Sequence, residues 1–226
     1  MEIKYSKKKE ELRRDPVKEW LIATRDFIKT KSRIFLGVAI VALFVAAFVL
    51  IFLQIRASSL SHANNAFGKA MIAYRANDLA GAIEGFKIVS DNYARSPQAI
   101  YSVYLLGQIY YQQGRYDEAL AWFKEAQTTE ASVDFVGGQA LEMLGLCYEA
   151  KNDLAQAQIW YVKALADNRM SWRAPALRFK LALIARALKN APDVLKYCNA
   201  ITADTLAREY MQNAENLIVE LNNKTN

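Results

Sequence analysis

Three different arrangements of apolar and polar positions follow one another along the chain. Residues 34–53, IFLGVAIVALFVAAFVLIFL, are 20 residues without a charge. At about 1.5 Å rise per residue a helix of that length spans roughly 30 Å, the thickness of a bilayer's hydrocarbon core. It has no polar face, and no other part of the chain could wrap it on every side as the core of a soluble domain would. The pattern therefore predicts a transmembrane helix over 34–55. Ahead of it, Val17, Trp20, Leu21, Phe27 and Ile28 recur at helical spacing among Lys18, Arg25 and Lys29. This predicts a basic amphipathic helix over 16–30, opened by Asp15 as N-cap and Pro16 at the first helical position. Trp20 and Phe27 are its candidate membrane-surface residues. A helix that merely runs into the span, or rests on a partner, fits the same pattern.

Beyond a short linker at 56–62 the pattern changes again. Alanine, leucine and tyrosine recur at helical spacing, with few β-branched runs and few hairpin turns. The fold class is all-α. The stretch is also repetitive. In YLLGQIYYQQGRYDEALAWFKEAQ (104–127) the recurring residues are Leu106, Gly107, Tyr110, Gly114, Tyr116, Ala119, Phe123 and Ala126. In EMLGLCYEAKNDLAQAQIWYVKAL (142–165) the same roles fall 38 positions later, on Leu144, Gly145, Tyr148, Asn152, Leu154, Ala157, Tyr161 and Ala164. An upstream copy uses Ala70, Asn77, Leu79, Ala82 and Phe86 at an offset of 37. Each unit reads as two helices joined by a tight turn in which Gly114 or Asn152 ends the first helix in a left-handed conformation. Gly107 and Gly145 mark close helix crossings, with Ala119 and Ala157 expected opposite them. Phe123 and Tyr161 are expected to fill the gap toward the next unit. A fourth, degenerate copy over 178–201 has Ala182 at the crossing, Val194 opposite and Pro192 opening the second helix, and it lacks the glycine, the turn residue and the tyrosine. Repeats are expected at about 63–96, 99–131, 137–170 and 174–202. A last amphipathic helix over 205–223 suits the cap that a solenoid's end requires.

These motifs resemble the tetratricopeptide repeat, closely in the second and third copies and more loosely in the first. The spacing is wider than that family's usual 34. The surplus is assigned to longer helices or to the links around Ser96-Pro97 and Thr128–Asp134. The resemblance implies an α-solenoid of helix pairs whose first helices line a concave, partner-binding groove. Projected onto this sequence, the groove takes Asn64, Phe67, Met71, Tyr74 and Arg75 from the first repeat. It takes Tyr101, Tyr104, Gln108 and Tyr111 from the second, Gln139, Glu142, Leu146 and Glu149 from the third, and Phe179, Leu183 and Arg186 from the fourth. The face is rich in aromatic side chains, which give large contact area at low entropy cost; packing of some of them against neighbouring helices is the alternative. The Lys/Asn set with which some family members clamp a terminal carboxylate is absent, so an extended or helical segment of another protein is the expected ligand.

Charge gives the apolar helix a direction. Of a net +6, residues 1–33 carry +5, with 11 Lys/Arg against 6 Asp/Glu, and Arg56 adds one. Residues 57–226 carry 17 of each sign. The basicity belongs to the N-terminal arm, which argues against a nucleic-acid ligand for the repeats. Lys29, Lys31 and Arg33 precede the span and Arg56 alone follows it. The N-terminus is therefore expected in the cytoplasm and the C-terminal domain outside it. The long basic arm, the 20-residue apolar run and the missing Ala-x-Ala site favour an uncleaved anchor over a signal peptide. Ala42 and Ala46 form a small-x-x-x-small pair of the kind that packs helices, though a homo-oligomer is not otherwise indicated.

No catalytic constellation and no cofactor or metal motif is present. His62 stands alone. Gly137-Gly138 lacks the Lys-Ser/Thr of a phosphate loop. Glu142 and Glu149, seven apart, read as a solvated helix face. Cys147 and Cys198 fall on helices that should not be neighbours, and two cysteines are too few for a disulfide-stapled fold, so two buried thiols are expected.

Basic arm, uncleaved span and outer repeat domain together resemble bacterial inner-membrane proteins that accompany the Sec translocon and engage periplasmic chaperones. That likeness implies translocon subunits or periplasmic chaperones as partners; an envelope scaffold for a cell-wall, division or outer-membrane assembly complex is the alternative. The charge asymmetry makes a direct prediction. A reporter active only outside the cytoplasm, fused after Asn226, is expected to be active, and an inactive but intact fusion reverses the orientation.

Overall fold

The structure, a computed structural model, describes residues 16–128 and 136–225. It divides between Ser58 and Ser59 into two compact units. Among the described residues 88% of the chain is helical and there is no strand; the all-α expectation holds. The expected cap of the first helix at Asp15 and the link through Asp134 lie outside the described residues.

The first unit contains helix α1 (Pro16–Thr30) and the leading part of α2 (Ser32–Arg75). Trp20 and Phe27 are exposed on α1, and Lys31 Nζ lies 5.6 Å from the Phe27 ring. The apolar stretch of α2 is long enough to cross a membrane, and none of it is buried by the protein. Residues 56–62, expected as a linker, are helical, and the division between the two units falls among them. Arg56-Ala-Ser-Ser-Leu-Ser-His contains no proline or glycine, and a helix is interrupted only where something interrupts its hydrogen bonding.

The second unit holds α3 (Leu79–Asn92), α4 (Pro97–Gln112), α5 (Tyr116–Thr128), α6 (Val136–Ala150), α7 (Leu154–Ala166), α8 (Ala174–Ala187), α9 (Ala191–Thr202) and α10 (Arg208–Thr225). The end of α2 pairs with α3, α4 with α5, α6 with α7, and α8 with α9. A 3₁₀ helix, Asn168–Arg173, fills the link between α7 and α8.

All four pairs turn in the same way. Asn77, Gly114, Asn152 and Lys189 have φ of 59°, 72°, 60° and 57°. The next N–H reaches back five residues each time: Asp78 to Ala73, Arg115 to Tyr110, Asp153 to Tyr148 and Asn190 to Ala185, at 2.8–2.9 Å. This is the helix-ending motif that satisfies otherwise orphaned carbonyls. In three of the turns the following residue caps the next helix. Asp78, Asp153 and Asn190 accept from the N–H of Gly81, Gln156 and Asp193. The fourth repeat, expected to lack its turn residue, places Lys189 in the left-handed position instead. The capping and packing around it override the conformational preference of its side chain.

Within each pair the two helices come closest at one crossing, and the residue facing it differs from the expectation. An added Cβ on Gly107 would lie 2.7 Å from Phe123 Cε1, and one on Gly145 2.6 Å from Tyr161 Cε1. The aromatic ring itself, not the alanine of the second helix, faces the glycine. In the first pair Ala70 replaces the glycine, and Gly85 on α3 gives way: a Cβ there would lie 2.7 Å from that of Ala70. In the fourth, Ala182 and Cys198 hold the glycine and aromatic places and both are fully buried. What gains volume on one helix loses it on the other, as close packing demands.

The stacked pairs share two groups of core side chains. One runs from Ala70 through Phe86, Leu106, Phe123 and Leu144 to Cys147. The other runs from Tyr161 through Leu181, Val194 and Cys198 to Leu217 on α10. Tyr148 and Trp160 pack against both. The two thiols are free, buried and in separate groups.

Gly145→Ala is expected to destabilise by about 2–3 kcal/mol through overpacking. Combining it with Tyr161→Cys, the pairing used by the fourth repeat, should cost clearly less than the two single changes summed. Strict additivity in denaturant unfolding would refute the proposed coupling.

A tyrosine-lined face with a buried carboxylate

On the side of the first helices, α4 meets α6, and α8 meets the capping helix α10. Their shared face is the candidate site, and its residues differ widely in availability.

Several aromatic residues assigned to the groove are half-buried and pack on the second helix of their pair. Phe67 and Tyr74 lie 5.7 and 6.3 Å from the Phe86 ring, centre to centre. Tyr104 meets Phe123 edge-on at 5.6 Å, and Tyr111 lies 5.5 Å from Tyr116. Phe179 packs at 5.7 Å on Tyr210 of α10. These rings turn one side to the core and keep polar tips at the face. Tyr104 Oη accepts from Gln108 Nε2 at 3.2 Å, and Tyr74 Oη from Gln112 Nε2 at 3.5 Å. Tyr101 is the most open of the tyrosines on α4, 39% exposed. Met71, Gln139, Leu146 and Leu183 are half-buried; Asn64 and Arg75 are exposed, and Asn64 accepts a hydrogen bond from Gln98.

Of the two carboxylates expected on a solvated face, Glu149 is exposed and Glu142 is not. Glu142, expected on a solvated face, is 7% exposed. Arg173 holds it through two hydrogen bonds, one from Nε to Oε2 at 3.1 Å. Glu149 accepts from Tyr161 Oη at 2.6 Å and from Lys180 Nζ at 3.4 Å. Lys180 Nζ also sits 5.4 Å from the centre of the Tyr161 ring. Arg186 pairs with Glu220 of α10 at 3.0 Å. A buried carboxylate costs several kcal/mol unless it is paired and fully hydrogen-bonded, and here the guanidinium meets that demand. None of these partnerships leaves a trace in the sequence. They join residues 12 to 34 positions apart with no motif between them.

The same contacts shift the tyrosines. Burial raises Tyr161 above the usual tyrosine value, and the hydrogen bond to anionic Glu149 raises it further. Tyr104 is raised by burial and then by the Glu142 charge, against the lowering effect of Gln108 and Arg173. Burial pushes the Cys147 thiol up to about 12. None of these groups is poised as an acid, base or nucleophile near neutral pH. No group of three metal-ligating side chains exists among the described residues.

What this geometry offers is an interaction surface. Residues 67–134 and 138–166 match profiles of the Tetratricopeptide repeat. Those two stretches are similar to tetratricopeptide repeats. A solved structure of nearly identical TPR-like repeats from a Podosopora anserina kinesin light chain is similar in fold, with a TM-score of 0.50 at 17% identity, covering 72% of this chain and 94% of that one. BtubC (BKLC) from P. vanneervenii aligns with a TM-score of 0.49 at 16% identity, over 68% of this chain and 61% of that one. The Protein O-mannosyl-transferase TMTC2 of Mus musculus and that of Homo sapiens are each 31% identical over 80 residues, 35% of this chain. The matched stretch spans 9% of the length of those relatives. Tetratricopeptide repeats mediate binding to other proteins, and the repeat unit is a protein–protein interaction module.

Tyr161 yields a test with a defined sign. Its pKa is higher folded than unfolded, so its stabilising effect is complete below pH 10 and is lost as pH rises above that value. Tyr161→Phe should be less stable than the parent by about 1 kcal/mol at pH 8 through the lost hydrogen bond. The difference should shrink above pH 10; a difference that widens there in urea unfolding contradicts the assignment.

Proposed function

We propose that the chain is a membrane-anchored interaction module. In this reading the apolar part of α2 crosses the cytoplasmic membrane, α1 lies at its inner face, and the repeat unit stands on the extracytoplasmic side. Its first-helix face takes up a segment of another protein near the Sec translocon, assisting export or hand-off to periplasmic chaperones. The observation that carries the reading is the union of one long, uncovered apolar helix with a flanking basic arm and a repeat unit whose shared face presents tyrosines and glutamines. Amphipathic side chains of this kind bind extended or helical segments without a fixed sequence, which suits a module that meets many exported chains.

Half-burial also defines which positions can act. Tyr101, Gln108, Tyr111 and Leu146 keep surface at the face, whereas Glu142 and Tyr161 brace it from behind. A binding variant should therefore be sought among the former, and a folding variant among the latter.

A photoreactive amino acid at Tyr101 or Tyr111, in cells, is expected to crosslink nascent exported chains and translocon subunits. Crosslinks only to fixed cell-wall, division or outer-membrane assembly proteins would favour the envelope-scaffold alternative. Crosslinks confined to the opposite surface, for example from Ile159 on α7, would overturn the assignment of the face.

A further inference from the structure

The repeat unit has one edge at which the first helix of every pair begins, and its contacts can be followed from end to end. Gln98, in the first turn of α4, donates to Asn64 at the incoming end of the first pair. The start of α6 lies under the 3₁₀ link: an added Cβ on Gly137 would be 3.1 Å from Arg169 Nη2, and one on Gly138 2.9 Å from Met170 Sδ. Arg173 reaches back to Glu142. Arg178 Nη1, in α8, meets Asp204 Oδ2 of the α9–α10 link at 3.1 Å.

On this edge two large apolar side chains face solvent. Leu206, in the α9–α10 link, is 90% exposed, more than any other large apolar side chain described. Trp172, in the 3₁₀ helix, is 61% exposed. Neither contributes to the core, while their neighbours Met170 and Ala207 are buried and hold both links in place. The basic residues of the edge divide into two sets. Arg169, Arg173 and Arg178 are committed to Asp167, Glu142 and Asp204. Arg95 and Arg208 are exposed and in no ion pair among the described residues. Exposed tryptophan and leucine, with uncommitted arginine in links of the same kind, is the side-chain set that partitions to a membrane interface.

Chain connectivity supplies the occupant. The apolar run ends at Leu53, and Ala63, fully buried, is already part of the repeat unit. The ten residue steps from one to the other span at most about 35 Å even when fully extended. They join the unit at the edge just traced, since Asn64 is its first contact there. Given the anchored reading above, on which this inference rests, the start of the first pair is tethered to the lipid through those ten residues.

We propose that this edge docks on the bilayer surface, with Trp172 and Leu206 at headgroup depth and Arg95 and Arg208 on lipid phosphates. The repeat unit is thereby held at the membrane surface.

The two native thiols are fully buried, so a single introduced surface cysteine can be labelled selectively. We would place a nitroxide in turn at Trp172→Cys, Leu206→Cys, Ile72→Cys and Phe44→Cys in the full chain. The probe membrane is vesicles of mixed phosphatidylcholine and phosphatidylglycerol. Collisions with oxygen report lipid, and collisions with a nickel chelate report water. Ile72 is 69% exposed on the first helix of the array, away from the edge, and serves as the aqueous reference; Phe44 reports the apolar run. Labels at 172 and 206 are expected to show several-fold less nickel contact than the label at 72, with oxygen contact between those at 72 and 44. Labels at 172 and 206 that match 72, while 44 reads lipid, overturn the docked edge and leave the anchor standing. A label at 44 that reads water overturns both.

Discussion

The repeat unit depends on one contact made once per helix pair, the close approach of first and second helix at a position that admits little volume. Phe123 over Gly107 and Tyr161 over Gly145 set that approach in the middle of the array. The first pair reaches it through Ala70 and Gly85, and in the last pair Ala182 and Cys198 occupy the corresponding buried places. A side chain added on one helix must be removed from the other, because the interior has no free space to absorb it. This exchange explains how a degenerate fourth repeat, without glycine or aromatic ring, still stacks.

The first-helix face inherits its character from the same contact. A ring seated on a crossing glycine must point its polar end outward, so Tyr161 delivers its hydroxyl to Glu149 and fixes Lys180 beside it. Tyr104 packs on Phe123 and turns its hydroxyl to Gln108. Glu142 is tied to Arg173, which carries the interaction from the third pair into the link before the fourth. The face is thus a layer of half-buried rings over a braced polar network. Such a surface is preorganised, which limits the entropy lost when a partner binds.

Much of this is legible in the sequence. The offsets of 37 and 38 identify the pairs, and the turn residues Asn77, Gly114 and Asn152 mark their midpoints, because left-handed backbone favours those residue types. Lys189 escapes the same reasoning: a lysine carries no turn signal, and only the hydrogen bond from Asn190 to Ala185 reveals its role. The face is legible as a set of positions on first helices, but not as a set of available side chains. Glu142 reads as solvated because its partner lies 31 residues away on a link without a recognisable pattern. The linker expected at 56–62 rests on the change in hydropathy, yet helicity continues there because backbone hydrogen bonding does not depend on hydropathy.

The sequence by itself determined the properties that repeat locally: an uninterrupted apolar stretch, an amphipathic helix before it, and a series of helix pairs with their turns. Period, composition and charge act over a few residues and can be read along a line. Tertiary structure alone decided which groups meet across pairs: the ring that fills each glycine crossing, the burial of Glu142, and the exposure of Trp172 and Leu206 on one edge. Those outcomes depend on the volume and charge that distant helices bring to the same place, and a linear sequence carries no record of that meeting.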